Sequence, residues 1–186
     1  LSELQAIREV CNHYALSLFV DGARLGYGLC SPLCDVTLPQ LATLADIFYI
    51  GGTKVGALFG EAVVIVNEGL KRDFRYSIKR HGGMLAKGRL LGIQFETLFT
   101  NNLYFEIARH AVTQALRVKD VLQAKGFHLM IDSPTNQQFV ILPNDVLDQL
   151  SQQFVLSPWE PLEGNRTAVR ICTSWATRDE NVDALI

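Results

Sequence analysis

The sequence predicts an α/β fold, a sheet with helices on both faces, followed by a small α+β unit. Three observations predict it. The runs Leu18-Phe19-Val20, Phe48-Tyr49-Ile50 and Ala62-Val63-Val64-Ile65-Val66 are apolar throughout, the pattern of strands buried on both faces. Segments with helical periodicity stand between and around them. Beyond residue 126 the elements shorten, and strands alternate with brief helices. The boundaries expected are 1–100 for part of a large domain and 101–186 for a connector helix with a small α+β domain. A chain of 186 residues can bury a real core.

Element by element, Ser2 and Gln5 match a capping box, and Leu4, Ile7, Val10, Cys11 and Tyr14 recur at helical spacing over residues 3–14. The strand ending at Asp21 runs into the glycine-rich turn 22–28, with a short helix. Pro39 opens a helical segment over 40–45. The second strand breaks into Gly51-Gly52-Thr53-Lys54, and the third covers 62–66. Residues 68–80 form a basic helix carrying Lys71, Arg72, Arg75, Lys79 and Arg80. Such a run is more often a solvated face than a phosphate site. The loop His81-Gly82-Gly83-Met84 leads to a helix over 85–99, and a long amphipathic helix spans 103–125, stopped by Gly126. A strand at 138–142 ends at Pro143, a helix covers 145–152 and a strand covers 168–172. A closing helix starts with Thr177 as N-cap and Glu180 three residues on.

Composition excludes several classes of function. The 48% hydrophobic and 19% charged residues are ordinary for a soluble domain, and a net charge of -2 gives no electrostatic case for nucleic acid or an anionic membrane. No apolar run is long enough to span a bilayer, and the first residues lack the basic start of a secretion signal. Cys30 and Cys34 have no companion pair to complete a zinc site, so no metal is expected. Thiols in a reducing compartment, and hence a cytoplasmic location, are the expectation.

The chemistry gathers at strand exits. Ligands of open α/β sheets bind outside the carboxyl ends of the strands. Here one exit presents Asp21 and the other Lys54, each beside glycines that let a ligand approach the backbone. Either residue alone is commonplace at a strand end. Together they supply what pyridoxal 5'-phosphate needs, a lysine for the Schiff base and an acid for the ring nitrogen. Thr53 offers a hydroxyl to the cofactor. Arg24, three residues beyond Asp21, suits a substrate carboxylate in bidentate geometry. Arg170 is the second such candidate, as the one charged residue in the apolar run 168–172; the alternative is an edge-strand arginine facing water.

Asp21-Gly22-Ala23-Arg24-Leu25, Gly51-Gly52-Thr53-Lys54 and Gly82-Gly83-Met84 occur in the order seen in the low-specificity L-threonine aldolases. These belong to the aromatic amino acid β-eliminating lyase family of fold-type I pyridoxal-phosphate enzymes. The resemblance runs through Val169-Arg170 and the terminal helix, and it implies the C-terminal portion of such a protein. The implied fold is part of a fold-type I large domain with a small C-terminal domain. The implied reaction is aldol cleavage of L-threonine and L-allo-threonine to glycine and acetaldehyde. By the same resemblance Lys54 and Asp21 are catalytic. Asp21, Arg24, Thr53 and Lys54 contact the cofactor, Arg24 and Arg170 hold the substrate carboxylate, and the full-length protein is a homodimer or homotetramer. The sequence departs from the family in having Leu85 and Ala86 where many members carry an arginine near the cofactor phosphate; Lys79, Arg80 and Lys87 are the nearest bases. The family's first half, with its phosphate loop, stacking aromatic and substrate-side histidine, has no counterpart here. Alternative readings are β-elimination or transamination of another small amino acid on the same cofactor, or an inactive fragment.

Overall fold

Strand β2 (Ile47–Gly51) is the middle of a three-stranded sheet. β1 (Phe19–Val20) lies parallel on one side and β3 (Glu61–Ile65) antiparallel on the other. The computed structural model describes residues 1–186, in two units: residues 1–29 with 34–105, and residues 30–33 with 106–186.

In the first unit, the parallel β1–β2 pair requires a crossover, which carries α2 (Leu25–Leu29) and α3 (Leu38–Leu44). Phe48 and Ile50 of β2 are buried with Tyr27, Leu41, Val55 and Tyr104. Before β1 stands α1 (Ser2–His13), fixed to the sheet by Arg8. The Arg8 guanidinium pairs with Asp46 at 2.5 Å and donates to the Leu16 carbonyl at 3.0 Å. Asp46 in turn accepts from the Leu18 amide at 2.7 Å and the Asn67 side chain at 2.9 Å, tying the ends of three strands together.

Local signals misplaced several ends. The expected Ser2–Gln5 capping box does not form: Leu1 is the N-cap and its ammonium pairs with Asp35. A complete capping box stands instead at Thr37 and Gln40, in front of α3. The basic segment is not one helix. A 3₁₀ turn (Glu68–Leu70) and α4 (Phe74–Arg80) are separated by Asp73, whose left-handed backbone (φ 57°) interrupts the ladder. The next helix, α5, spans Arg89–Phe99 and not the full 85–99 stretch.

The second unit is a four-stranded antiparallel sheet in the order β4-β5-β7-β6, with β4 (His128–Ile131), β5 (Gln137–Pro143), β6 (Ser157–Leu162) and β7 (Arg166–Cys172). Val140, Leu142, Val169 and Ile171 from the two inner strands meet Val118 of α6 (Leu103–Ala124) and Val182 of α8 (Asp179–Leu185). Each such side chain stabilises the fold by about 1.5–3 kcal/mol as an upper bound. Gly126 (φ 85°) ends α6: its amide bonds the Gln123 carbonyl and the Phe127 amide the Leu122 carbonyl. α7 (Asn144–Leu150) follows β5. The Thr177 cap also fails to form; Arg178 is the N-cap, and the Thr177 hydroxyl accepts from the Ser174 amide at 2.8 Å. β6 escaped notice in the sequence because Pro158 and Pro161 suppress strand propensity, which an edge position tolerates.

Candidate active site

Asp21 follows β1 and Lys54 follows β2, and the two exits are held together by backbone. The Gly51 amide donates to the Gly22 carbonyl at 2.9 Å. Contact is so close that a Cβ on Gly22 would lie 1.7 Å from the Tyr49 carbonyl oxygen, and one on Gly51 would lie 2.4 Å from the Ala23 oxygen. Only glycine fits either place. Buried Tyr104 reinforces the junction: its hydroxyl accepts from the Gly26 amide and donates to the Gly51 carbonyl, each at 3.1 Å.

Asp21 is exposed but well held. Its Oδ1 accepts from the Tyr49 hydroxyl and from the Ala23 amide at 3.0 Å. Those two bonds, the tyrosine's first, draw the carboxyl below the usual carboxylate range, and the positive charges of Lys54 and Arg24 act in the same direction. The same bond to Asp21 pushes the Tyr49 hydroxyl up. Asp21 is therefore an ionised acceptor at neutral pH with Oδ2 uncommitted.

Lys54 sits on a tight turn in which the Val55 and Ala57 amides both donate to the Gly52 carbonyl, at 2.9 and 3.0 Å. Gly56 takes a left-handed backbone (φ 96°) to close it. Tyr27, buried, donates its hydroxyl to the Lys54 carbonyl. The lysine side chain itself is exposed. On the far side of the turn, Glu61 accepts from the Gly52 amide and, at 3.1 Å, from the Thr53 hydroxyl. Asp21, Arg24, Thr53 and Lys54 thus all belong to the first unit, around adjoining strand ends.

Arg170 belongs to the second unit. β7 lies between β5 and β6, so Arg170 is on an interior strand and not on the edge. It pairs in register with Phe139 on one side and Ser157 on the other, which puts the three side chains on one face. A bulge between Pro158 and Glu160 adds Trp159 to that face. The Arg170 guanidinium lies 5.3 Å from the Trp159 ring centre and 3.4 Å from the Ser157 hydroxyl, and Trp159 meets Phe139 edge-on at 5.1 Å. Lys79, Arg80 and Lys87 are exposed.

Tyr27, Tyr49, Glu61 and Tyr104 are the residues that sequence reasoning passed over. Two left a signal. Strand alternation puts Tyr49 on the same side as Gly51, and Glu61 is the one charge opening an otherwise apolar strand. Tyr27 and Tyr104 had none, since their partners are backbone groups remote in sequence.

The sheet with its two glycine-locked exits and the small antiparallel unit that follows define a class: the C-terminal part of a fold-type I pyridoxal-phosphate enzyme. Within that class the curated relatives that match are low specificity L-threonine aldolases. The chain is similar to the threonine aldolase of Leishmania major, with a TM-score of 0.96 and 44% identity, covering 98% of this chain and 54% of that one. It is 30% identical over 149 residues to the low specificity L-threonine aldolase of Pseudomonas aeruginosa, covering 80% of this chain and 43% of that protein. A structure from Exiguobacterium described as a putative aromatic amino acid β-eliminating lyase/threonine aldolase has a TM-score of 0.73 at 19% identity, covering 100% of this chain and 55% of that one, a likeness of fold alone. No family model matches the chain. The chain spans about half the length of the relatives it matches.

Proposed function

We propose that the protein is a pyridoxal-phosphate-dependent aldehyde-lyase that cleaves L-threonine and L-allo-threonine to glycine and acetaldehyde. The observation that carries this reading is the placement of an ionised Asp21 and the Lys54 amine at two adjoining strand exits locked together by backbone. The donor set fits the cofactor: an anionic acceptor with one oxygen uncommitted, an exposed primary amine, and backbone bare of Cβ atoms between them. When bound, pyridoxal phosphate supplies an electron sink for the carbanion left at the substrate's Cα. Asp21, held ionised by its bonds to Tyr49 and Ala23, would face the ring nitrogen and favour its protonated form. The Lys54 amine anchors the cofactor and is then available to carry a proton. Thr53 presents a hydroxyl oxygen beside it. Arg24 and Arg170 are the guanidinium groups assigned, on the resemblance to threonine aldolases, to the substrate carboxylate. By the same resemblance the protein acts on a small amino acid as a homodimer or homotetramer, and its free thiols suit a cytoplasmic location.

The test uses the full-length protein. Acetaldehyde release from L-threonine and L-allo-threonine is compared with pyruvate release from serine and cysteine. Lys54→Ala is expected to abolish the visible absorbance of the cofactor-linked enzyme and to lower acetaldehyde release by several orders of magnitude. Pyruvate as the major product would replace aldol cleavage by β-elimination. An unaltered spectrum in Lys54→Ala would refute the role of Lys54.

A further inference from the structure

The turn that bears Lys54 is built from material with little stiffness of its own. Gly51, Gly52 and Gly56 fall within six residues, and each glycine carries more backbone freedom than any other residue. A lysine amine at the end of a four-carbon stem adds further freedom. Reaction at such an amine depends on holding it near one geometry, so something outside the turn must fix it.

Two side chains do so from opposite sides. Tyr27 holds the Lys54 carbonyl from the buried side. Glu61 holds the residues before the lysine, with one carboxylate oxygen on the Gly52 amide and the other on the Thr53 hydroxyl. The sheet delivers Glu61 to that position. It opens β3 directly opposite Gly51, the last residue of β2, so the antiparallel ladder sets its side chain beside the turn. The contacts are charge-assisted, roughly twice as strong as neutral ones, and the two-oxygen grip fixes orientation as well as distance. The Thr53 hydroxyl proton is spent on Glu61, which leaves Thr53 to face a ligand as an acceptor.

We infer that Glu61 is a positioning residue for Lys54: its carboxylate clamps Gly52 and Thr53 and so sets where the lysine amine meets the cofactor carbonyl. The inference rests on the proposed role of Lys54. In that reaction the Lys54 nitrogen bonds to the aldehyde carbon of the cofactor and the carbonyl oxygen leaves as water. Glu61 exchanges no atoms; it acts through the turn.

The experiment loads the full-length apoprotein with pyridoxal phosphate and follows the linkage by visible absorbance. The linkage is then reduced with borohydride, and the modified lysine is located by mass spectrometry. Glu61→Ala is expected to slow linkage formation at least tenfold and to raise the cofactor's Kd by a similar factor, while the melting temperature of the apoprotein stays near that of the parent. Glu61→Gln, which keeps one acceptor oxygen, should restore most of the rate; a merely structural role would not give that rescue at equal stability. Where Glu61→Ala does not fold, Thr53→Val reports the same clamp: a several-fold slower linkage, rescued by Thr53→Ser. Parent-like kinetics in Glu61→Ala, or in Thr53→Val when that variant is the one read, overturn the inference while leaving Lys54 as the anchor. Reduction trapped on a lysine other than Lys54 overturns both.

Discussion

Replacing Gly22 by alanine tests whether the two strand exits must stay in register. The added Cβ would lie 1.7 Å from the Tyr49 carbonyl oxygen, a backbone atom in the strand that leads to Lys54. Real Cβ contacts are essentially never under 3.0 Å, so the two backbones must part by about 1.3 Å or more. Neither can move alone, because the Gly51 amide is bonded to the Gly22 carbonyl at 2.9 Å and Tyr104 holds Gly51 from below. Overpacking of this kind costs about 1–3 kcal/mol, and losing the Gly51–Gly22 hydrogen bond about 1 kcal/mol more. Activity should fall further than stability does. A shift of about 1 Å in the spacing of reacting groups costs on the order of 100-fold in rate, and here it falls between the Asp21 and Lys54 backbones. The assay is cofactor affinity and acetaldehyde release in full-length Gly22→Ala, alongside urea unfolding. A variant with parent affinity, rate and urea midpoint would refute the close approach and with it the locked pair.

Two further predictions follow from single contacts. The Arg8 guanidinium, with the Leu18 amide and the Asn67 side chain, draws Asp46 from an ordinary 3.8 down to about 2. A folded-state value below the unfolded one stabilises the fold above about pH 4, and that contribution is lost as pH falls from about 4 to about 2. It amounts to roughly 2 kcal/mol, discounted to about 1 kcal/mol for solvent screening. Urea midpoints measured across that window should fall more steeply in the parent than in Asp46→Asn, where other lowered carboxyls such as Asp21 still titrate; parallel curves would exclude the linkage. Trp159→Ala removes the stacked guanidinium and the edge-on Phe139 contact, at about 1–2 kcal/mol of stability. In the full-length enzyme it should raise KM for the amino acid several-fold with kcat nearly kept, and an unchanged KM would separate Trp159 from the role assigned to Arg170.

Apolar runs at 18–20, 48–50 and 62–66 announced strands through their aromatic and β-branched residues, but the cover expected on both faces holds best for β2, since Phe19 of β1 and Val63 of β3 are exposed. Glycines after Asp21 and before Lys54 marked the exits because only a residue without a Cβ allows such contact. That much was written locally: the α/β class, the long helix with its glycine stop, and the acid and amine of the candidate site. Which partners those groups take was decided by tertiary structure. Tyr49 reaches Asp21 from 28 positions away, and Tyr104 reaches Gly51 from 53. Glu61 becomes the clamp on Lys54 only because β3 pairs antiparallel to β2 in one register. Arg170 gains its aromatic neighbours only because β7 is interior and β6 carries a bulge. Caps showed the opposite error: Ser2 and Thr177 carry the right residue types, yet Leu1 and Arg178 are the N-caps, and the Thr177 hydroxyl accepts from the Ser174 amide instead. Side-chain type and local spacing fix what a residue can bond, whereas register and strand order fix what stands within reach.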